Sequence, residues 1–133
     1  MWAVVDTNVL FEGLTTLGGC SDVVDAWVAR RFSPCVSVAL ALEYEEVLTN
    51  KLGPAKSRQA LAALQALLDR AEFVPIHFQT RPHSPDADDD FVIECAFNAS
   101  APIVTRNLRD LRVAEEVLQI PVLTPERFLK TLE

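Results

Sequence analysis

Five short apolar runs recur along the chain, and segments with helical spacing lie between most of them. The runs sit in WAVVDTN, FSPCVSVA, VPIHF, PIVT and IPVLT. A strand without polar alternation is buried on both faces, and a helix between successive strands supplies the crossover that a parallel pair needs. The pattern predicts an α/β fold with a central parallel sheet of four to five strands. The intervening segments are SDVVDAWVARRF, ALALEYEEVLTNKL, KSRQALAALQALLDRA and DDDFVIECAFNAS, with PERFLKTL at the end. Two of them carry a start or stop signal, Ser21 opening the first and Gly53-Pro54 ending the second. TRPHSPDA reads as a loop punctuated by two prolines.

Composition narrows the class of protein. At 133 residues, half of them hydrophobic, the chain suits a single domain over 1–133 with a substantial core. No apolar run reaches the roughly 20 residues that span a bilayer, and Asp6 interrupts any signal-peptide pattern. A cytoplasmic protein with no membrane partner is expected. Cys20, Cys35 and Cys95 are widely spaced and odd in number, so they read as packed thiols rather than a disulfide frame or a zinc site. The net charge of −7 argues against a passive nucleic-acid binder with a basic stripe. Divalent ions bound at an acidic site would reverse the local sign, so the location of the acids matters more than their sum.

Their location is informative. In parallel α/β sheets ligands gather beyond the carboxyl ends of the strands, where strand order reverses. Asp6 follows the first strand, and Thr105, Arg106, Asn107 and Asp110 follow the fourth. Asp86, Asp88, Asp89 and Asp90 crowd the start of the helix that leads into that fourth strand. Glu43 lies three to five positions from Leu40, Val47 and Leu48, so it faces the apolar side of its helix while Glu45 points away. A carboxylate there costs several kcal/mol, on the order of what an unpaired buried charge demands, unless it is paired or ligates a metal. Hard oxygen ligands select Mg²⁺ or Mn²⁺ over zinc. Metal-dependent phosphodiester hydrolysis fits such a site.

Plainer readings compete with this one. Acids near a helix start gain about 0.3 to 1 kcal/mol each from the dipole, so the aspartate run also suits a cap. An EF-hand fails, because Phe91 stands where glycine is required and Phe97 where the bidentate glutamate is required. His77 and His83 read as incidental. No phosphate loop, nucleophile elbow or Cys-His pattern is present.

Taken in order, VVDTNVL, ALEYEEVL, DADDDFVIECA and IVTRNLRDL resemble the PIN-domain family, and more narrowly the VapC-like bacterial PIN proteins classed as toxins of toxin–antitoxin pairs. The resemblance runs from Val4 to Leu123. It implies a Rossmann-like three-layer α/β/α sandwich and a ribonuclease site of three or four acids around Mg²⁺ or Mn²⁺. By motif the acids are Asp6, Glu43, Asp89 and Asp110, with Asp88 and Asp90 as alternatives for the third. Asp89 is preferred because it stands sixteen residues before Thr105. Asn8, Thr105 and Asn107 resemble polar residues that orient acids or waters, and Arg106 and Arg109 are candidate RNA contacts. Where many relatives carry T-G-D-x-D-L this chain has TRNLRD, so Asn107 replaces a charge, as in the VapC-like branch. The implied partners are an RNA substrate and a small cognate antitoxin; monomer and homodimer both stay open. The alternatives are an inactive PIN-like interaction module and a phosphoryl receiver, the latter disfavoured by the missing lysine near the pocket.

Overall fold

The computed structural model describes residues 1–79 and 90–133 in full and Asp89 through its backbone alone. The loop expected over TRPHSPDA, with His83, Asp86 and Asp88, lies outside the described residues.

Five strands form one sheet: β1 (Trp2–Val5), β2 (Ser33–Val36), β3 (Glu72–Phe73), β4 (Ile103–Val104) and β5 (Val122–Leu123). All pairs are parallel and the order is β3-β2-β1-β4-β5. Ala3, Val4 and Val5 are all fully buried, as are Cys35, Val36, Ile103 and Val104, so the central strands are covered on both faces. That is the three-layer α/β/α sandwich. The helices are α1 (Thr7–Thr15), α2 (Gly19–Val28), α3 (Val38–Lys51), α4 (Pro54–Leu68), α5 (Asp89–Ala99), α6 (Arg112–Val117) and α7 (Pro125–Thr131). α1 packs on α2 and α3, α3 on α4, and α2 on α7, whereas α5 lies against β1, β2 and β4. Right-handed crossovers explain the division, because β1 to β3 advance in one direction and the chain then returns past β1 to β4.

Local chemistry sets the ends. Ser37 caps α3, its hydroxyl accepting the Leu40 N–H at 3.1 Å. Pro54 opens α4, and Thr124 caps α7 by accepting the Arg127 N–H at 3.2 Å. Within the core the Trp27 indole N–H donates to the Leu67 carbonyl at 2.9 Å, and Phe32 sits edge-on to both Trp27 and Phe128. Cys20, Cys35 and Cys95 are buried and free, as packed thiols should be. Burial raises the Cys35 thiol to about 11 and the Cys95 thiol to about 12.

Three elements differ from the sequence reading. Thr7–Thr15 is a helix where Asp-Thr-Asn suits either a turn or a helix cap, and Arg112–Val117 adds a short helix after the fourth strand. The third strand is Glu72–Phe73, not VPIHF. Val74 still donates to the Val36 carbonyl, but Pro75 has no N–H and the ladder stops there. The next backbone groups are taken by one side chain: Asn98 accepts from the N–H of His77 and of Phe78 at 2.9 and 3.0 Å, and donates to the Phe78 carbonyl at 2.8 Å. An amide side chain thus stands where a neighbouring strand would.

One buried bond fixes α3 against the sheet. The Tyr44 hydroxyl, on a fully buried ring, donates to the carbonyl of Val5 at the end of β1. Tyr44→Phe is expected to lower stability by about 1–3 kcal/mol by stranding that carbonyl. Urea denaturation checks this; an unchanged midpoint would show that another donor takes over.

Candidate active site

Strand order reverses between β1 and β4, so the crevice that open α/β sheets use for ligands lies beyond their carboxyl ends. Val5 and Val104 are register partners, which makes Asp6 and Thr105 neighbours one residue past the sheet. The Asp6 N–H donates to the Val104 carbonyl at 2.9 Å, and the Thr105 hydroxyl donates to Asp6 Oδ2 at 2.7 Å. Asp6 is 2% exposed and Thr105 is fully buried.

Asp6 is also the N-cap residue of α1, in extended conformation, yet its side chain makes no capping bond. An aspartate at this position ordinarily accepts an N–H of the first helical turn. Here the carboxylate is turned to Thr105 instead. Beyond Thr105 the chain of bonds continues. Thr105 Oγ1 accepts the Asn107 N–H at 2.9 Å, and Asn107 Nδ2 donates to Asp110 Oδ2 at 2.8 Å. Asp6, Thr105, Asn107 and Asp110 are therefore joined in one hydrogen-bonded series.

An open cleft of about 390 Å³ adjoins this series, lined by Asp6, Asn8, Phe11, Glu12, Lys51, Arg106 and Asn107. Glu43, Asp90 and Asp110 do not line it. Glu43 is 6% exposed on α3, one residue before the Tyr44 that anchors that helix to Val5, while Glu45 is exposed. α3 meets α5, whose Asp90 and Glu94 are 4% and 3% exposed. Asp89 begins α5, and its side chain lies outside the described residues. Among the described residues no three His, Cys, Asp or Glu side chains come together as a metal cage. Among the described residues the cleft's oxygen donors are the carboxylates and amides of Asp6, Glu12, Asn8 and Asn107, with Lys51 and Arg106 beside them and no histidine or cysteine, a set suited to a hard divalent ion.

Arg106 is held tightly. Its Nη1 and Nη2 donate to Glu126 Oε1 and Oε2 at 3.0 and 2.8 Å, a bidentate pair. Its Nε donates to Cys20 Sγ at 3.3 Å and lies 3.6 Å from Glu12 Oε2. The pairing raises the Arg106 guanidinium further above its ordinary range and lowers Glu126. Gly19 makes room for it, since a Cβ there would meet Glu126 Oε2. Arg109 and Arg112 are exposed.

Residues 3–109 match the PIN domain. The chain belongs to the PIN-domain family. This is a family of nucleases, which generally work with divalent metals. Asp110 falls one residue beyond the matched segment. No curated protein matches the chain significantly in sequence. Among solved structures it is similar to VapBC2 from Rickettsia felis, bound to a DNA fragment from its promoter, at 12% identity and a TM-score of 0.68. That likeness covers 93% of this chain and 98% of the other. It is also similar to VapBC-1 from nontypeable Haemophilus influenzae at 13% identity and a TM-score of 0.65, covering 95% of this PIN domain and 99% of the other chain. A third neighbour is FitAcB from Neisseria gonorrhoeae, with 18% identity, a TM-score of 0.64 and coverage of 93% and 98%. At such identities the likeness is one of fold.

Sequence reasoning missed four residues of this PIN domain's cleft and its surroundings. Glu94 was legible, because it interrupts Val92, Ile93, Cys95 and Ala96 as Glu43 interrupts its own apolar stripe. Glu12 and Lys51 carry no such signal, being polar residues on the exposed sides of helices, and Lys51 corrects the expectation of no lysine near the pocket because it lines the cleft beside Asp6. Glu126 becomes meaningful only through Arg106.

The Arg106–Glu126 pair carries a pH dependence of definite sign. Glu126 titrates below its ordinary 4.5 in the folded chain, so the pair's stabilisation is present above that value and fades as pH falls through the lowered one. Both side chains are about half exposed, which limits the effect to under about 1 kcal/mol and makes it salt-sensitive. Thermal melts of the native chain and Glu126→Gln should draw together as pH falls below 4.5 toward and through the lowered value. A gap that does not narrow on acidification would contradict the pairing.

Proposed function

We propose that this PIN domain, taken as one domain over 1–133, is a metal-dependent endoribonuclease that hydrolyses RNA phosphodiester bonds and acts as the toxin of a toxin–antitoxin pair. The observation that carries the reading is the placement of Asp6. A buried carboxylate declines its capping role at the strand-order switch and is oriented by the Thr105 hydroxyl beside an open cleft. A purely structural aspartate at a helix start would cap the helix.

In this reading Asp6, Glu43 and Asp110 hold the ion together with an acid from the head of α5. The spacing to Thr105 favours Asp89 for that fourth place, and burial favours Asp90. When bound, Mg²⁺ or Mn²⁺ would offset the mutual repulsion of these acids and supply Lewis-acid stabilisation to the phosphodiester oxygens. Thr105 orients Asp6, and Asn107 orients Asp110 while occupying the place of a charge. Asn8 lines the cleft as a polar group within reach of water or substrate. The shared architecture with solved VapBC and FitAcB structures supports a small cognate antitoxin as partner. No helix among the described residues is long and apolar enough to cross a membrane, which accords with a cytoplasmic site of action.

The alternative is an inactive PIN-like interaction module whose acids are structural. Metal binding separates the two. The nuclease should gain melting temperature on Mn²⁺ addition, with about 2.7 kcal/mol of stabilisation at a hundredfold excess over Kd. EDTA should stop cleavage of RNA. A melting curve indifferent to Mn²⁺ favours the module.

Asp6→Asn is expected to abolish cleavage while leaving the fold as stable as the parent or slightly more so, since carboxylate repulsion falls. Parallel Asp89→Asn and Asp90→Asn variants identify the acid from α5. Undiminished cleavage by Asp6→Asn would refute the assignment of the site.

A further inference from the structure

Among the described residues two cations, Lys51 and Arg106, line the cleft beside Asp6, and their surroundings differ sharply. Arg106 is the one that sequence alone suggests for RNA, yet all three of its guanidinium nitrogens already donate within the protein. It also sits between Glu126 and Glu12, one positive charge against two negative ones. A phosphate approaching Arg106 would meet net negative charge and would have to displace a bidentate carboxylate. Arg106 is thus suited to holding the loop after β4 against α1, α2 and α7.

Lys51 is different. It closes the last turn of α3, is exposed, and lines the same cleft as Asp6, Asn8 and Asn107. Its Nζ lies 5.2 Å from the centroid of the Phe11 ring, a cation–π contact that directs the ammonium to the cleft wall without neutralising it. Phe11 itself belongs to α1, the helix that starts at Asp6. The same element therefore fixes both the carboxylate and the support for the cation.

From this geometry we infer that Lys51 is the phosphate-binding residue of the cleft, contacting a backbone phosphate of single-stranded RNA next to the one at Asp6. The inference rests on the nuclease reading above. It explains how a chain of net charge −7 holds a polyanion. An ammonium exposed at a cleft mouth attracts phosphate, while the remaining excess of acid is spread over the chain and is screened beyond roughly 8 Å at physiological salt.

The test uses the full chain and a randomised single-stranded RNA pool with Mn²⁺. Lys51→Met should raise KM about tenfold with kcat within about twofold, the signature of lost uniform binding. On the non-cleaving Asp6→Asn background, equilibrium binding of the same RNA should lose about 0.7 from the slope of log K against log salt, the share of one phosphate contact on a single strand. Lys51→Arg should restore both values, and Lys130→Met, an equal charge change at an exposed position of α7, should alter neither. If the native chain cleaves RNA and Lys51→Met keeps the parental KM and salt slope, the Lys51 assignment is overturned and the nuclease reading stands. If the folded native chain neither binds nor cleaves the pool, the nuclease reading falls and this inference with it. A fall in kcat alone would also overturn it, because it would place Lys51 in the chemical step.

Discussion

The hydrogen bond from Thr105 to Asp6 is the constraint on which the rest of the site depends. It exists because β1 and β4 are adjacent and in register at Val5 and Val104, so that the first residue beyond each strand meets the other. Both residues follow the carboxyl ends of their strands, and only a parallel pair of neighbours brings two carboxyl ends to the same edge of the sheet. A one-residue slip of β4 would put Thr105 on the other face of the strand and remove the donor. Both side chains are buried, so the bond forms in surroundings where an unsatisfied carboxylate oxygen would be expensive.

From that bond, order spreads in two directions. Toward the loop after β4, Thr105 accepts from Asn107, and Asn107 donates to Asp110, which shapes a turn that would otherwise be free to move. Toward α3, the carbonyl of Val5 accepts from Tyr44, which sets the height of that helix and with it the position of Glu43. Arg106 adds a third tie by joining the loop to α1, α2 and α7 through Glu12, Cys20 and Glu126. The helix bearing Asp6 pays a visible penalty, an N-cap without its usual side-chain bond. Local rules that fail at a single buried carboxylate mark places where another requirement prevails.

Much of the architecture was legible because its cause is local. Unbroken apolar runs such as WAVV and PIVT can be stable only as strands covered on both faces, and helices between them force parallel pairing. Glu43 was legible for the same reason, since its place among Leu40, Val47 and Leu48 fixes its direction before any tertiary contact forms. The helix at Thr7–Thr15 was hidden because Asp-Thr-Asn is equally good chemistry for a turn. VPIHF misled because its β-branched and aromatic residues suit a strand, while Pro75 and the amide of Asn98, twenty-one residues from His77, decide otherwise.

The sequence by itself determined the alternation of strand and helix, the burial of the thiols, and the presence of acids at the ends of β1 and α5 and within α3. These follow from side-chain spacing and apolarity, which act over a few residues. The tertiary structure decided which polar groups meet: Thr105 with Asp6, Asn107 with Asp110, Glu126 with Arg106, and Lys51 with Phe11 at the mouth of the cleft. Most of those pairs join residues far apart in the chain, and their distances follow from strand register and helix packing, which the local spacing of side chains does not encode.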